Sequence, residues 1–319
     1  MELTSHQKDL IAQIAVLKKR KNAVILAHNY QRPEVYEVAD FIGDSLELCR
    51  KAAETDCELI VFCGVHFMAE SAALLNPTRK VLLPALDAGC ALADMITAEA
   101  LRERKKLYPD AAVVCYVNCS ADVKAESDVC CTSSNAADVV RALPNRQILF
   151  VPDKNLASYV AKLVPEKEII PWEGFCPIHH RITVDMLLRA KTVHPNAKLV
   201  VHPECQPPVL EIADHVASTS KMADYCRNSD AEEFIIITEC GLVQKLLKEM
   251  PTKKFYTVCN MCYDMKKNTL ESIVDCLEKE QYWIQIPPEV AVRAQRAFTR
   301  MFEITGQTLA PRPILNPKS

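Results

Sequence analysis

Three stretches of this chain share one pattern, at intervals of 88 and then 86 residues. They are Asn22-Ala-Val-Ile-Leu-Ala-His28-Asn-Tyr30, Asp110-Ala-Ala-Val-Val-Cys-Tyr116-Val-Asn118 and Asn196-Ala-Lys-Leu-Val-Val-His202-Pro-Glu204. Each opens on a turn residue and runs through small and β-branched apolar residues, which predicts a buried strand of a parallel sheet. Each ends on two polar residues at i and i+2, and the two-residue period of a strand puts those side chains on one face.

The frame continues downstream. His28 to Ser45, Tyr116 to Ser133 and His202 to Thr219 are each 17 residues. Two further strand-like runs follow in each copy: Leu59–Cys63, Ile148–Pro152 and Phe234–Thr238, then Lys80–Pro84, Glu168–Pro171 and Lys254–Val258. Helical patterns such as Val35–Ala52 and Pro208–Met222 separate them. The chain is therefore expected to be α/β, with three similar three-layer αβα domains, each with a small parallel sheet, around a pseudo-threefold axis. The expected division is 1–104 with an N-terminal helix, 105–190, 191–280, and a C-terminal helix and tail at 281–319. That last segment lies outside the repeat; its helix, Glu289–Ile304, and the Pro-rich stretch at 310–313 are expected to dock on the first domain.

Cysteine falls into the same frame. Cys90, Cys176 and Cys262 are spaced 86 and 86, and each follows the third expected strand of its copy. The other cysteines need a different reading. Fifteen is many, but the number is odd and no secretory segment opens the chain, so a disulfide framework is not expected. Cys49, Cys57, Cys63, Cys115, Cys226, Cys240 and Cys276 sit in apolar runs and read as small buried hydrophobes, as do Cys119 and Cys205 beside the site strands. Cys130, Cys131 and His180 carry no role at this level.

Ligands of open α/β sheets sit beyond the carboxyl ends of the strands. His28, Tyr30, Tyr116, Asn118, His202 and Glu204, together with the three cysteines, all belong at such ends. Packed around a common axis, they would converge on one centre. Three thiolates from three domains do not make a local zinc knuckle. They suit a [4Fe-4S] cluster with one iron left without a cysteine, a Lewis acid able to assist loss of water. The glycine-rich phosphate loops of nucleotide-binding proteins are absent. A formal net charge of -3 and no basic patch argue against nucleic acid. No apolar run approaches the ~20 residues of a membrane span. A cytoplasmic enzyme is expected.

The chain resembles the quinolinate synthases in several motifs. They are Ala27-His-Asn-Tyr-Gln31, Ala39-Asp-Phe-Ile-Gly-Asp-Ser45, Phe67-Met-Ala-Glu70, Tyr116-Val-Asn118, Cys131-Thr-Ser-Ser-Asn-Ala136, Gly174-Phe-Cys-Pro-Ile-His179, Val201-His-Pro-Glu204, Ser218-Thr-Ser220 and Cys262-Tyr-Asp-Met-Lys266. The resemblance covers almost the whole chain. It implies condensation of iminoaspartate with dihydroxyacetone phosphate to quinolinate, for NAD biosynthesis, with loss of phosphate and two waters. It implies Cys90, Cys176 and Cys262 as ligands of the [4Fe-4S] cluster. It also implies His28 and Ser45 on the carboxylates of the amino-acid-derived half, and Tyr30 near the open iron moving protons. Tyr116 and Asn118 would orient the condensing intermediate, and Ser133 would take a carboxylate. His202, Ser218 and Thr219 would take the phosphate or carbonyl end. Glu204 is the expected general acid/base, and His179 stands on the substrate or beside a cysteine ligand. Partners could include, transiently, the enzyme that supplies iminoaspartate.

Cys259, three residues before Cys262, admits a redox-pair reading, although the 60-residue offset from His202 favours Cys262 as the ligand. Three other functions stay open on the residues alone. Another Fe-S hydro-lyase would need no phosphate-binding residues near Ser218 and Thr219. An Fe-S sensor or electron carrier would want four cysteine ligands and no polar cluster at the strand ends. A zinc structural protein conflicts with the cysteine spacing.

Overall fold

The computed structural model describes residues 3–258 and 260–306. Cys259 and the Pro-rich stretch at 310–313 lie outside the described residues. The first unit runs α1 (Ser5–Arg20), β1 (Ala23–His28), α2 (Pro33–Tyr36), β2 (Phe41–Gly43), α3 (Ser45–Glu54), β3 (Leu59–Cys63), α4 (His66–Leu75), β4 (Lys80–Leu82). The second runs α5 (Ala98–Leu107), β5 (Ala112–Tyr116), α6 (Ala121–Ala125), β6 (Val129–Cys131), α7 (Ala136–Ala142), β7 (Gln147–Val151), α8 (Lys154–Leu163), β8 (Glu168–Pro171). A short helix, α9 (Pro177–His180), leads into the third: α10 (Val184–Val193), β9 (Lys198–Val201), α11 (Pro207–Glu211), β10 (His215–Val216), α12 (Thr219–Asn228), β11 (Glu233–Ile237), α13 (Gly241–Glu249), β12 (Lys254–Tyr256). Two helices remain, α14 (Leu270–Lys279) and α15 (Pro288–Ile304).

The three sheets are parallel and four-stranded, in the orders β2-β1-β3-β4, β6-β5-β7-β8 and β10-β9-β11-β12. Even the register repeats: Leu26 faces Phe62, Val114 faces Phe150 and Val200 faces Ile236. Central strands such as β3 and β5 are buried along their whole length, because helices cover both faces of a parallel sheet.

One expectation needs correction. Each sheet has four strands rather than three, because the helical patterns Val35–Ala52 and Pro208–Met222 are broken. A helix, a short strand and a second helix occupy each of them. The cause is a side-chain clamp that recurs in all three units. The carboxylates of Asp40, Asp128 and Asp214 accept the backbone N–H of Ile25, Val113 and Leu199 at 2.8, 2.7 and 2.8 Å. The N–H of each aspartate donates back to the carbonyl of the same strand residue. This double bond draws the chain alongside the first strand, and an added edge strand forms in place of helix.

The units close into a ring. Thr97, Thr183 and Thr269 follow the frame cysteines and cap α5, α10 and α14, accepting from Ala100, Met186 and Ser272 N–H. The sequence division at 280 groups α14 with the third unit. Its apolar face, with Ile273, Cys276 and Leu277, is buried against Ile14 and Leu17 of α1 and against the first sheet. Beyond it, the segment around Trp283 lies on the edge of β4: Leu83 N–H donates to the Tyr282 carbonyl, and Ile284 N–H to the Val81 carbonyl. The final helix then diverges from the docking expected on the first unit. Most of its contacts are with α6 and β6 of the second, with a smaller contact on α4 of the first. The apolar stripe of Ala294, Phe298, Met301 and Phe302 belongs to the core that spans these units.

The cysteines expected to be buried are buried, Cys119 and Cys205 included, apart from Cys240. That residue is half-buried because it stands at the start of α13. No described helix is long and apolar enough to cross a membrane.

Candidate active site

The carboxyl ends of β1, β5 and β9 open onto a cavity of about 250 Å³ lined by all three units. Cys90, Cys176 and Cys262 line it, and no other described cysteine does. His28, Tyr30, Ser45, Tyr116, Asn118, Ser133, His179, His202, Glu204 and Thr219 line it as well. Ser218 does not. It is buried at the N-cap of α12, its hydroxyl has no hydrogen-bond partner, and it borders a groove between α7, α8 and α12 instead.

The cysteine loops are held alike in each unit. His66 N–H donates to the Ala88 carbonyl, Lys154 N–H to Gly174 and Cys240 N–H to Asn260, at 2.8, 2.8 and 2.9 Å. Each acceptor lies two residues before its cysteine. The loop before Cys90 is two residues longer than the others, which accounts for the 62-residue offset from His28. A side chain at position 174 would collide with the Pro152 carbonyl, so glycine is required where that chain approaches.

Two fully buried carboxylates add to this, and sequence reasoning missed both. Asp153 accepts the N–H of Cys176 at 3.0 Å, and Glu239 accepts the N–H of Cys262 at 3.2 Å. Glu239 also pairs with Lys266 at 3.0 Å. They stand 86 residues apart, so the cysteine frame could have flagged them; the first unit has Val65 at that place.

The polar groups are joined in one chain. Tyr30 hydroxyl meets Thr238 Oγ1 at 2.6 Å, and Thr238 Oγ1 meets His179 Nε2 at 2.8 Å. On its other side His179 Nδ1 lies 2.6 Å from Glu204 Oε2. His179 gives an Nδ1 proton to the carboxylate, and Thr238 Oγ1, with a single proton, stands between His179 Nε2 and the Tyr30 hydroxyl. Thr238 is a further residue that the sequence reading did not single out. The His202 ring stacks on His179 at 4.5 Å, and Tyr116 lines the cavity with Glu204.

Electrostatics assign the protons. Burial would raise the Glu204 carboxyl, but His179, by charge and hydrogen bond, outweighs it and brings the group down to about 2. Burial lowers His28 to about 3, helped by Lys245 and Lys266. Tyr30 N–H donates to His28 Nδ1 at 3.2 Å, which leaves the Nε2 proton for the cavity. Burial pushes the Cys90 thiol up to about 12 and also raises Cys176 and Cys262. A lone thiolate is disfavoured there, and the charge of a bound metal centre would reverse that preference. Three convergent thiols, with no fourth among the described residues, fit an iron–sulfur cluster with one open iron. Glu204 Oε1 and Asn118 Oδ1 are buried and unpartnered, which marks them as groups for a ligand.

Residues 12–303 match the model of the family described as NadA, quinolinate synthetase A protein. The chain is 54% identical over 296 residues to a quinolinate synthase of Thermodesulfovibrio yellowstonii, covering 92% of this chain and 98% of that protein. It is 53% identical over 300 residues to quinolinate synthase 1 of Methanosarcina acetivorans, covering 93% and 98%. A quinolinate synthase of Caldicellulosiruptor bescii is 53% identical over 294 residues, covering 92% and 97%.

Proposed function

Because the chain belongs to the quinolinate synthase family, enzymes of NAD biosynthesis, we propose that it condenses iminoaspartate with dihydroxyacetone phosphate on a [4Fe-4S] cluster held by Cys90, Cys176 and Cys262. Products are quinolinate, phosphate and two waters, and no external oxidant or reductant is needed. The observation that carries this reading is the single cavity, which takes one cysteine from each unit and leaves Glu204 Oε1 and Asn118 Oδ1 free for a ligand. Cys90, Cys176 and Cys262 carry free thiols, which suits a reducing, cytoplasmic setting. When bound, the cluster supplies a Lewis acid through its iron without a cysteine.

The residues supply binding and proton transfer. Neutral His28 donates from Nε2 to a substrate carboxylate, with Ser45 at the start of α3 beside it. Ser133 offers a second hydroxyl to a carboxylate, and Tyr116 and Asn118 hold the condensing chain. Thr219 opens α12, where backbone N–H groups favour an anion; His202 completes that end. Ser218 precedes α12 and is not among the residues that line the cavity. Glu204, ionised by its neighbours, removes a proton from carbon and returns it to a leaving hydroxyl, with Tyr30 on the chain through Thr238 and His179 behind it.

A second reading rests on Cys176, His179 and Glu204, whose ligand atoms lie within 4.8 Å of one another. They could hold a single divalent ion instead. Anaerobic purification separates the two. The cluster reading requires about four irons and four sulfides per chain, a spectrum altered by quinolinate, and product from the two substrates. Loss of iron in Cys90→Ser, Cys176→Ser and Cys262→Ser, but not in Cys119→Ser, is expected. One metal per chain without sulfide, or full metal content in Cys90→Ser, would sink it.

A further inference from the structure

Behind Thr219 lies a buried bridge that the reaction as described does not use. Asn29, fully buried at the end of β1, donates from Nδ2 to Thr219 Oγ1 at 3.0 Å, across 190 residues of sequence. Its other amide atom, Oδ1, accepts from Lys245 Nζ of α13 at 2.8 Å. An ammonium group can only donate, so Lys245 fixes which way the amide faces. Main-chain bonds hold Asn29 itself: its N–H donates to the Gly43 carbonyl at 3.0 Å, and its carbonyl accepts the Tyr36 hydroxyl at 2.8 Å.

We infer that Asn29 and Lys245 are positioning residues that make the Thr219 hydroxyl an obligatory donor to an anionic group of the substrate, a phosphate or a carboxylate. The reasoning is a proton count. Asn29 Nδ2 occupies the acceptor side of Thr219 Oγ1, so the hydroxyl proton is free to point into the cavity. Lys245 polarises the amide and brings a cation to the site without lining it; the side chain is not among the cavity residues. Thr219 also begins a ten-residue helix, whose N-terminal N–H groups add to the same attraction. The bridge spans the first and third units, so the donor is set only when those units are in register. This rests on the reading that Thr219 holds substrate.

Asn29→Asp tests it with little change in shape. The new carboxylate still accepts from Lys245, but it also accepts the Thr219 hydroxyl proton, which is then lost to the ligand. The probes are 2-phosphoglycolate and quinolinate, titrated anaerobically into the cluster-loaded enzyme and read by its absorption spectrum. Expected is a roughly ten- to hundredfold loss of affinity for at least one probe in N29D, the range of a hydrogen bond to a charged group. The iron content and melting temperature should stay near wild type, and KM should rise for one substrate only. The probe affected tells phosphate from carboxylate. Lys245→Met, which keeps the amide but frees its orientation, should lose affinity for the same probe by a smaller factor. Affinities within twofold of wild type in both variants, with clear loss in Thr219→Ala, would overturn this inference alone. No loss in Thr219→Ala either would overturn the reading of Thr219 beneath it.

Discussion

Glu204 gives one carboxylate oxygen to His179 Nδ1 at 2.6 Å and leaves the other buried with no partner. A buried acceptor left open is costly unless a ligand completes it. The arrangement makes Glu204 an ionised proton acceptor, with His179 lowering its pKa.

Glu204→Gln keeps the size of the side chain but cannot take a proton. Turnover is expected to fall by roughly 10²–10⁴, with iron content and quinolinate affinity retained. Anaerobic product assay and titration of the cluster spectrum measure both. Activity within a few-fold of wild type would move proton removal to Tyr30 or Tyr116.

The buried carboxylates Asp153 and Glu239 hold the N–H groups of Cys176 and Cys262. Asp153→Ala and Glu239→Ala should therefore release iron faster to a chelator than wild type does. Val65→Ala, at the matching place in the first unit, should not. Equal release rates in all three variants would show that the loops hold without these side chains.

Lys124 is fully buried, and its ammonium hydrogen-bonds uncharged oxygens. Its ammonium lies 2.6 Å from the Cys119 carbonyl, 3.1 Å from Ser71 Oγ and 3.3 Å from the Phe67 carbonyl, between the rings of Phe67 and Phe298. It joins α4, the second unit and α15. Lys124→Met fills the space but takes the donor from the Cys119 carbonyl, and about 1–3 kcal/mol of stability should be lost. Denaturant titration gives the number; tryptic cleavage in α15 should quicken in parallel. An unchanged midpoint would mean that the rings and packing alone hold the helix.

His28 is buried neutral, with its pKa at about 3 in place of 6.5. Below pH 6.5 the unfolded chain takes up a proton here that the folded protein refuses. The stability this group contributes is thus present above 6.5 and lost as pH falls toward 3. The loss is about 1.4 kcal/mol for each pH unit, or roughly 2 kcal/mol at pH 5. His28→Gln should remove that part of the pH dependence of anaerobic unfolding between pH 8 and 5. If variant and wild type lose stability in parallel, His28 is protonated in the fold.

Much of the architecture could be read from the residues alone. Alternating runs and turn residues are local signals, since strand and helix periods are set by backbone geometry within a few residues. Repetition then lifted weak local signals into a frame, and Cys90, Cys176 and Cys262 stood out because they shared it. The same frame held Asp153 and Glu239, and the clamps of Asp40, Asp128 and Asp214. They were passed over because a single aspartate near a turn looks like any solvated one.

What the sequence by itself determined was therefore the repeating unit and the residues that end its strands. Tertiary structure decided which of them meet. Ser218 and Thr219 are adjacent in sequence, yet one faces an outer groove and the other the cavity, because the start of α12 turns them apart. The α14 helix follows the third unit but packs on the first, where α1 and the first sheet offer it an apolar face. The side chains of Thr238 and Asn29 meet partners 59 to 216 residues away. A hydrogen bond at 3 Å depends on packing across the whole fold, and no local pattern of residues encodes such a distance.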